Sequence, residues 1–210
     1  MSAPLTLVIG TRRYSSWSLR PWLALRAAGA AFDVVEIALR QPDTKANILA
    51  RSPSGKVPLL IHGQTKVWDS LAICEYVAEQ FPAAGLWPGD AAARAMARAV
   101  AAEMHAGFPQ LRTVCPMDLC AGVTPLAEIP PDVAAEAARI RALWAECRRR
   151  FGAGGPFLFG RFSVADAMYA PVVTRFTTYA LPQDDVSRAY CDAVWALPAL
   201  GEWRAAACAG

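Results

Sequence analysis

Ser52-Pro53-Ser54-Gly55-Lys56-Val57-Pro58-Leu59-Leu60-Ile61, then His62-Gly63-Gln64-Thr65, then Val67-Trp68-Asp69-Ser70, carries the densest run of structural signals in the chain. An X-Pro bond opens a short apolar strand, a polar turn closes a hairpin, and an Asp-Ser pair after the second strand starts a helix. An X-Pro bond adopts the cis form at modest cost, and a cis bond turns a backbone N–H and C=O outward to pair with an extended peptide. Asp69 and Ser70 present a carboxylate and a hydroxyl at a helix N-terminus, which also attracts negative charge. The stretch reads either as a plain hairpin with a capped helix or as a site that holds a peptide by its backbone.

Toward the N-terminus, Leu5 to Gly10 is a β-branched apolar run ending in glycine, which reads as a buried strand. A polar loop, Thr11 to Ser16, follows it, and from Trp17 the apolar spacing turns helical through Leu19, Trp22, Leu23 and Leu25, with Gly29 as the stop. Phe32 to Ile37 alternates like a strand, and Thr44 to Leu49 holds a short helix. With the hairpin and an amphipathic helix from Ser70 to Phe81 the order is β-α-β-α-β-β-α.

Toward the C-terminus the composition shifts. Residues 83–89 are rich in Pro and Gly and read as a linker between an N-terminal domain, 1–82, and an all-helical domain, 90–210. Asp90 starts a helix that Pro109 or Pro116 should kink or end, and Asp132 is a cap for a helix reaching Phe151. Ser163-Val164-Ala165-Asp166 has capping-box logic with Asp at its third position after the cap, and helices over 184–196 and 198–207 finish the chain.

At 210 residues and 55% apolar content the chain buries a substantial core. A net charge of +3 with dispersed basic residues argues against nucleic acid as a partner, and Arg148-Arg149-Arg150 reads as a solvated helix end. Met1 to Leu7 holds no basic region ahead of a long apolar run, and no apolar segment approaches about 18 residues, so no membrane association and a soluble, cytoplasmic protein are expected. The six cysteines include no C-x-x-C pair, which supports neither a disulfide framework nor, with only His62 and His105 to join them, a metal site.

Three motifs in order, Ser15-Ser16-Trp17-Ser18-Leu19-Arg20, then Ser54 to Pro58 leading to Asp69-Ser70, then the Ser163 to Asp166 box behind Gly160, make nearly the whole chain resemble a cytosolic glutathione transferase. The resemblance implies a thioredoxin-like α/β N-terminal domain that binds glutathione as co-substrate, an all-α domain, a pocket between them for a small electrophile, and a homodimer. The Ser-Ser-x-Ser loop most resembles serine-type members, the zeta class and its bacterial relatives, whose precedent is isomerisation of a cis-unsaturated diketo acid, while the family at large implies a broader conjugating transferase or peroxidase role ahead of that isomerisation.

Glutathione reacts as a thiolate, and a thiol with a pKa of about 8.5 is mostly protonated at neutral pH. A serine hydroxyl donating to the sulfur at the positive end of a helix stabilises that anion without acting as a base. The resemblance puts Ser15 in this role with Ser16 second, either of which could instead merely cap the helix, and offers Tyr14 as a further candidate. It implies that Val57 pairs through its backbone with the cysteinyl part next to a cis Pro58, that Asp69 and Ser70 take the γ-glutamyl amine and carboxylate, and that Lys56 or Lys45 pairs with the glycyl carboxylate. The family more often has Glu or Gln at Asp69, a longer reach.

For the electrophile pocket, Tyr14 and Trp17 join Met104, His105, Phe108 and Arg112, whose spacing puts them near one helix face, although His105 reads equally as a core histidine. Arg112 with Arg12 and Arg13 would hold an acidic substrate. The alternative function is a module of the same fold that binds ligands or partners without catalysis.

Overall fold

The computed structural model describes residues 3–209. Its sheet has the order β2-β1-β3-β4, with β1 at Leu5–Gly10, β2 at Asp33–Ile37, β3 at Leu59–His62 and β4 at Thr65–Trp68. β1 runs parallel to β2 and antiparallel to β3, and β3 pairs with β4 across the turn at Gly63, whose φ of +58° suits glycine. Because successive strand residues face opposite sides, Leu5, Leu7 and Ile9 enter the main core, while Val8 joins Ile37, Ile48 and Leu59 on the other face. Both faces of β1 are therefore covered, which explains why its sequence is apolar throughout instead of alternating. Gly10 ends it where a Cβ would lie 2.7 Å from Leu39.

Helix α1, Ser16–Ala27, and helix α3, Ser70–Gln80, pack on the main-core face, and α2, Thr44–Leu49, covers the smaller cluster. This is a thioredoxin-like α/β domain with a four-stranded sheet. A 3₁₀ turn, Pro82–Ala84, and buried Leu86 follow, and the Leu86 carbonyl accepts from Val164 N–H at 2.9 Å.

The rest is helical: α4 at Ala91–Ala106, α5 at Pro109–Val114, α6 at Pro131–Phe151, α7 at Val164–Thr178, α8 at Asp185–Trp195 and α9 at Pro198–Cys208. Asp90 caps α4 by accepting from Ala93 N–H at 2.8 Å. Pro109 does not kink α4. That helix stops at Gly107, and the proline starts α5, where its missing N–H costs nothing. The same preference displaces Asp132 from its expected capping position, since Pro130 takes the cap of α6 and Asp132 falls in the first turn, where its charge still suits the helix dipole. Arg148 is not a solvated end, because it donates to the carbonyls of Gly152, Gly155 and Phe157. Trp144, Tyr169, Phe176 and Tyr190 form the aromatic centre of this half, around the nearly wholly buried α7.

Among the contacts that join the halves, two rest on buried side chains. Arg20 of α1 is fully buried, donates from Nε to the Met168 carbonyl on α7 at 3.0 Å and from Nη1 to the Ser16 carbonyl at 3.0 Å. Trp203 of α9 packs edge-on against Trp22 with centroids 5.1 Å apart. The sequence supports no disulfide framework, and this is corrected by one bond: Cys120 and Cys208 form a disulfide across 88 residues, while Cys74, Cys115, Cys147 and Cys191 are buried and free.

Candidate functional site

A cavity of about 470 Å³ lies between the two halves, walled by Trp17 of α1, the 54–58 loop, Trp68 to Ser70, and His105 of α4. Six of the sequence-derived site residues meet in that wall with Trp17: Lys56, Val57, Pro58, Asp69, Ser70 and His105. The Val57–Pro58 bond is cis. Ser54 and Trp68 also line it and were not singled out by sequence, although both belong to the stretch that opens the hairpin or closes it.

Asp69 holds a φ of +74°, a region that non-glycine residues avoid at a cost of about 1 to 3 kcal/mol. Its Oδ1 caps α3 by accepting from Leu71 N–H at 2.9 Å, and its Oδ2 faces His105 Nε2 at 3.2 Å. Ser70 is 2% exposed, and its hydroxyl has no partner. An orphaned buried hydroxyl beside a capped helix end, facing a cavity, fits an anionic ligand group such as a carboxylate. His105 is half-buried and not a core histidine: it pairs with Asp69, meets Trp17 edge-on at 5.3 Å, and has a buried Nδ1 without a partner.

The polar loop that leads into α1 differs from its simplest expectation. Ser15 occupies the cap position of α1, but its side chain makes no cap bond. Its hydroxyl instead donates to Ser18 Oγ at 2.7 Å, and that oxygen also accepts from Gly10 N–H at 3.2 Å. Ser18 was missed by sequence, yet its i+3 spacing from Ser15 places both on one helix face. Ser15 and Ser16 are each 6% exposed and are not part of the cavity wall. The guanidiniums of Arg13 and Arg40 lie 5.1 and 4.0 Å from the ring centre of Tyr14, which also stands outside that wall.

Lys45 sits on the exposed side of α2, and it too is absent from the wall. Phe108, buried at the start of α5 with a φ of +58°, and Met104 belong to the core. The arginine set also changes. Arg12 pairs with Glu36, and Arg13 pairs bidentately with Asp118 at 2.6 and 2.7 Å, so neither is available to an acidic substrate. Asp118, 105 residues from Arg13 in sequence, is held below the usual carboxylate range chiefly by that bond.

Arg112 remains. It donates to the Gly107 carbonyl and lies 5.6 Å from the Trp17 ring centre, with Arg20 at 4.1 Å from the same ring. Burial pushes Arg20 well below the ordinary arginine range, and the charges of Arg175 and Arg112 act in the same direction. Arg175, buried and bonded to the carbonyls of Cys115 and Pro171, is lowered by burial to about 10. Trp17 is thus flanked by cations, and Arg20 Nη2 has no partner.

Among the described residues no group of three or more His, Cys, Asp or Glu is gathered to hold a metal, and no helix is long and apolar enough to cross a membrane.

Residues 14–80 match the family model of the glutathione S-transferase N-terminal domain, and residues 130–206 match that of the C-terminal domain. A probable glutathione S-transferase of Oryza sativa subsp. japonica is 37% identical over 83 residues, 39% of each chain. A probable maleylacetoacetate isomerase of Caenorhabditis elegans is 31% identical over 103 residues, 49% of this chain and 47% of that one. These alignments span less than half the length of either relative. The fold is that of a solved glutathione transferase homologue from Burkholderia with bound glutathione, at a TM-score of 0.72, 22% identity and 97% coverage of both chains. With both halves matched in order, the chain belongs to the glutathione transferase family.

Proposed function

We propose that the protein is a serine-type glutathione transferase that activates the glutathione thiol for attack on a small electrophile, by conjugation or by isomerisation through a transient adduct. The observation that carries this is the orphaned Ser70 hydroxyl beside the strained, His105-paired Asp69 in the interdomain cavity. Asp69 takes the γ-glutamyl ammonium and Ser70 its carboxylate. The shorter reach of Asp compared with Glu is offset by its backbone conformation and by His105, which steadies the carboxylate from the other half of the molecule. Val57 pairs with the cysteinyl backbone, and Lys56, at the rim, takes the glycyl carboxylate.

Ser15 donates to the thiolate. Hydroxyl protons rotate freely, so a turn of both rotors lets Ser18 donate to Ser15 while still accepting from Gly10 N–H, freeing the Ser15 proton for the sulfur. Such a chain polarises along its length and strengthens the last bond. The N-terminus of α1 adds its dipole, worth about 0.3 to 1 kcal/mol. Ser16, whose carbonyl holds Arg20, has a structural role.

Arg112 with Arg20 behind Trp17 favours an acidic electrophile, the reading closest to the zeta class. The chain is read as a soluble, cytoplasmic homodimer on family grounds, with its division into domains at 83–89 and no nucleic acid partner. Sizing chromatography tests the dimer, which a monomer-sized peak would contradict. Immobilised glutathione should retain the protein, and Ser15→Ala should lose turnover while keeping most of its binding. Normal turnover in that variant contradicts the assignment. The second reading, a binding module without catalysis, is favoured by the burial of Ser15 away from the cavity wall. It gains if glutathione raises the melting temperature but no electrophile is turned over.

A further inference from the structure

The loop that carries Ser15 is gripped from two sides. On one side the Asp118 carboxylate takes both Nε and Nη2 of Arg13, and Leu119 N–H donates to the Arg13 carbonyl at 3.3 Å. On the other, the indole N–H of Trp203 in α9 donates to the Arg12 carbonyl at 3.0 Å. Cys120 directly follows Leu119, and its own N–H donates to Asp118 Oδ1 at 3.0 Å, while Cys208 ends α9. The Cys120–Cys208 disulfide therefore closes a ring that runs from the active loop through α9 and back through the segment holding Asp118.

The two grips differ in what they have besides the disulfide. Trp203 is fully buried against Trp22 and anchors α9 whether or not the sulfurs are joined. Asp118 lies between α5 and α6 in a stretch without helix or strand, so loss of the covalent tie falls on the Arg13 side. Cys208 is exposed and Cys120 half-buried, within reach of a dissolved thiol. The other four cysteines are buried, and burial pushes the thiols of Cys147 and Cys191 up to about 12, which leaves them inert to exchange.

We propose that the Cys120–Cys208 disulfide is a redox modification site, opened by a glutathione-class thiol, and that its opening loosens the Ser15 loop. The proposal rests on the glutathione reading only for the identity of the reductant and the bound ligand. A first thiolate attacks Sγ of Cys208, the more exposed residue of the pair. The S–S bond breaks, its electrons leave on Cys120 Sγ, and that thiolate takes a proton from water. A second thiolate attacks the tripeptide sulfur of the resulting mixed disulfide, releasing Cys208, which is protonated in turn, and forming the tripeptide disulfide. The protein gains two electrons and two protons, and two external thiols are oxidised. In a reducing compartment the state of this bond then reports the thiol pool.

The test uses the full chain, oxidised and after incubation with millimolar glutathione. Alkylation after denaturation should label the four free cysteines in the first sample and Cys120 and Cys208 as well in the second. Hydrogen exchange at the amides of Tyr14, Ser15 and Leu119 should then quicken roughly tenfold or more. Affinity for S-methylglutathione, which cannot reduce a disulfide, should weaken about fivefold or more, and the double variant Cys120→Ser, Cys208→Ser should match the reduced wild type. A disulfide that survives millimolar glutathione, or exchange rates equal in both forms, overturns the proposal. Should S-methylglutathione bind neither form, the glutathione reading falls, and the exchange rates alone decide the redox site.

Discussion

The imidazole Nε2 of His105 lies 3.2 Å from Asp69 Oδ2, joining α4 to the residue that opens α3. Asp69 pairs across the two halves with one oxygen and caps a helix with the other, while held at a positive φ. A charge-assisted bond to a ligand ammonium is worth about 1.5 to 3 kcal/mol, so Asp69→Asn should weaken glutathione binding by roughly tenfold to a hundredfold in a calorimetric titration. Asp69→Gly loses the same contact, but glycine relieves the φ of +74°, which offsets the lost cap and keeps stability within about 1 kcal/mol of wild type. Unchanged affinity in Asp69→Asn would remove Asp69 from the site.

Ser70 makes the opposite prediction from an ordinary buried serine. Its hydroxyl has no partner, so Ser70→Ala should leave thermal stability unchanged or raise it by up to about 1 kcal/mol, while glutathione affinity drops roughly tenfold. A drop in stability with affinity intact would show that the hydroxyl serves the fold.

Ser18→Ala removes the group behind Ser15. Turnover should fall roughly tenfold with the KM for glutathione little changed, because the binding contacts at Asp69 and Ser70 are untouched. The orphaned Gly10 N–H costs about 1 to 3 kcal/mol of stability, so turnover is measured well below the variant's melting temperature. Turnover equal to wild type refutes the relay.

Asp166 supplies a pH signature away from the site. Burial raises its carboxyl from 3.8 to about 6, although Leu158 N–H and the Ser163 N–H and hydroxyl all donate to it. The native state thus binds this proton more tightly than the unfolded chain. Its stabilising contribution is full below the unfolded value and is lost as pH rises through about 6. Relative to Asp166→Asn, the wild type should lose roughly 2 kcal/mol of unfolding free energy between about pH 4 and about pH 7 by denaturant titration. A pH-independent difference between the two would contradict the buried proton.

Local chemistry made the framework legible. The apolar run of β1, the helix Thr44–Leu49 and the Asp69-Ser70 start of α3 are written in neighbouring residues, and the structure has each. Contacts between distant segments were not legible. The partners of Arg12 and Arg13 lie 24 and 105 residues away, so charge alone could not tell a free guanidinium from a paired one. The disulfide closes over 88 residues with no spacing motif to announce it. His105 carried two readings because its helix face is clear from spacing, whereas the carboxylate opposite it comes from the other half of the molecule.

The proposed role of Ser15, stabilising the glutathione thiolate, is read by ultraviolet titration of the thiol in the binary complex. In the wild-type complex the thiol should ionise at least about one pH unit below its value of about 8.5 in free solution, and Ser15→Ala should restore that value while still binding glutathione. An equally lowered ionisation in Ser15→Ala, or none in the wild type, would contradict it.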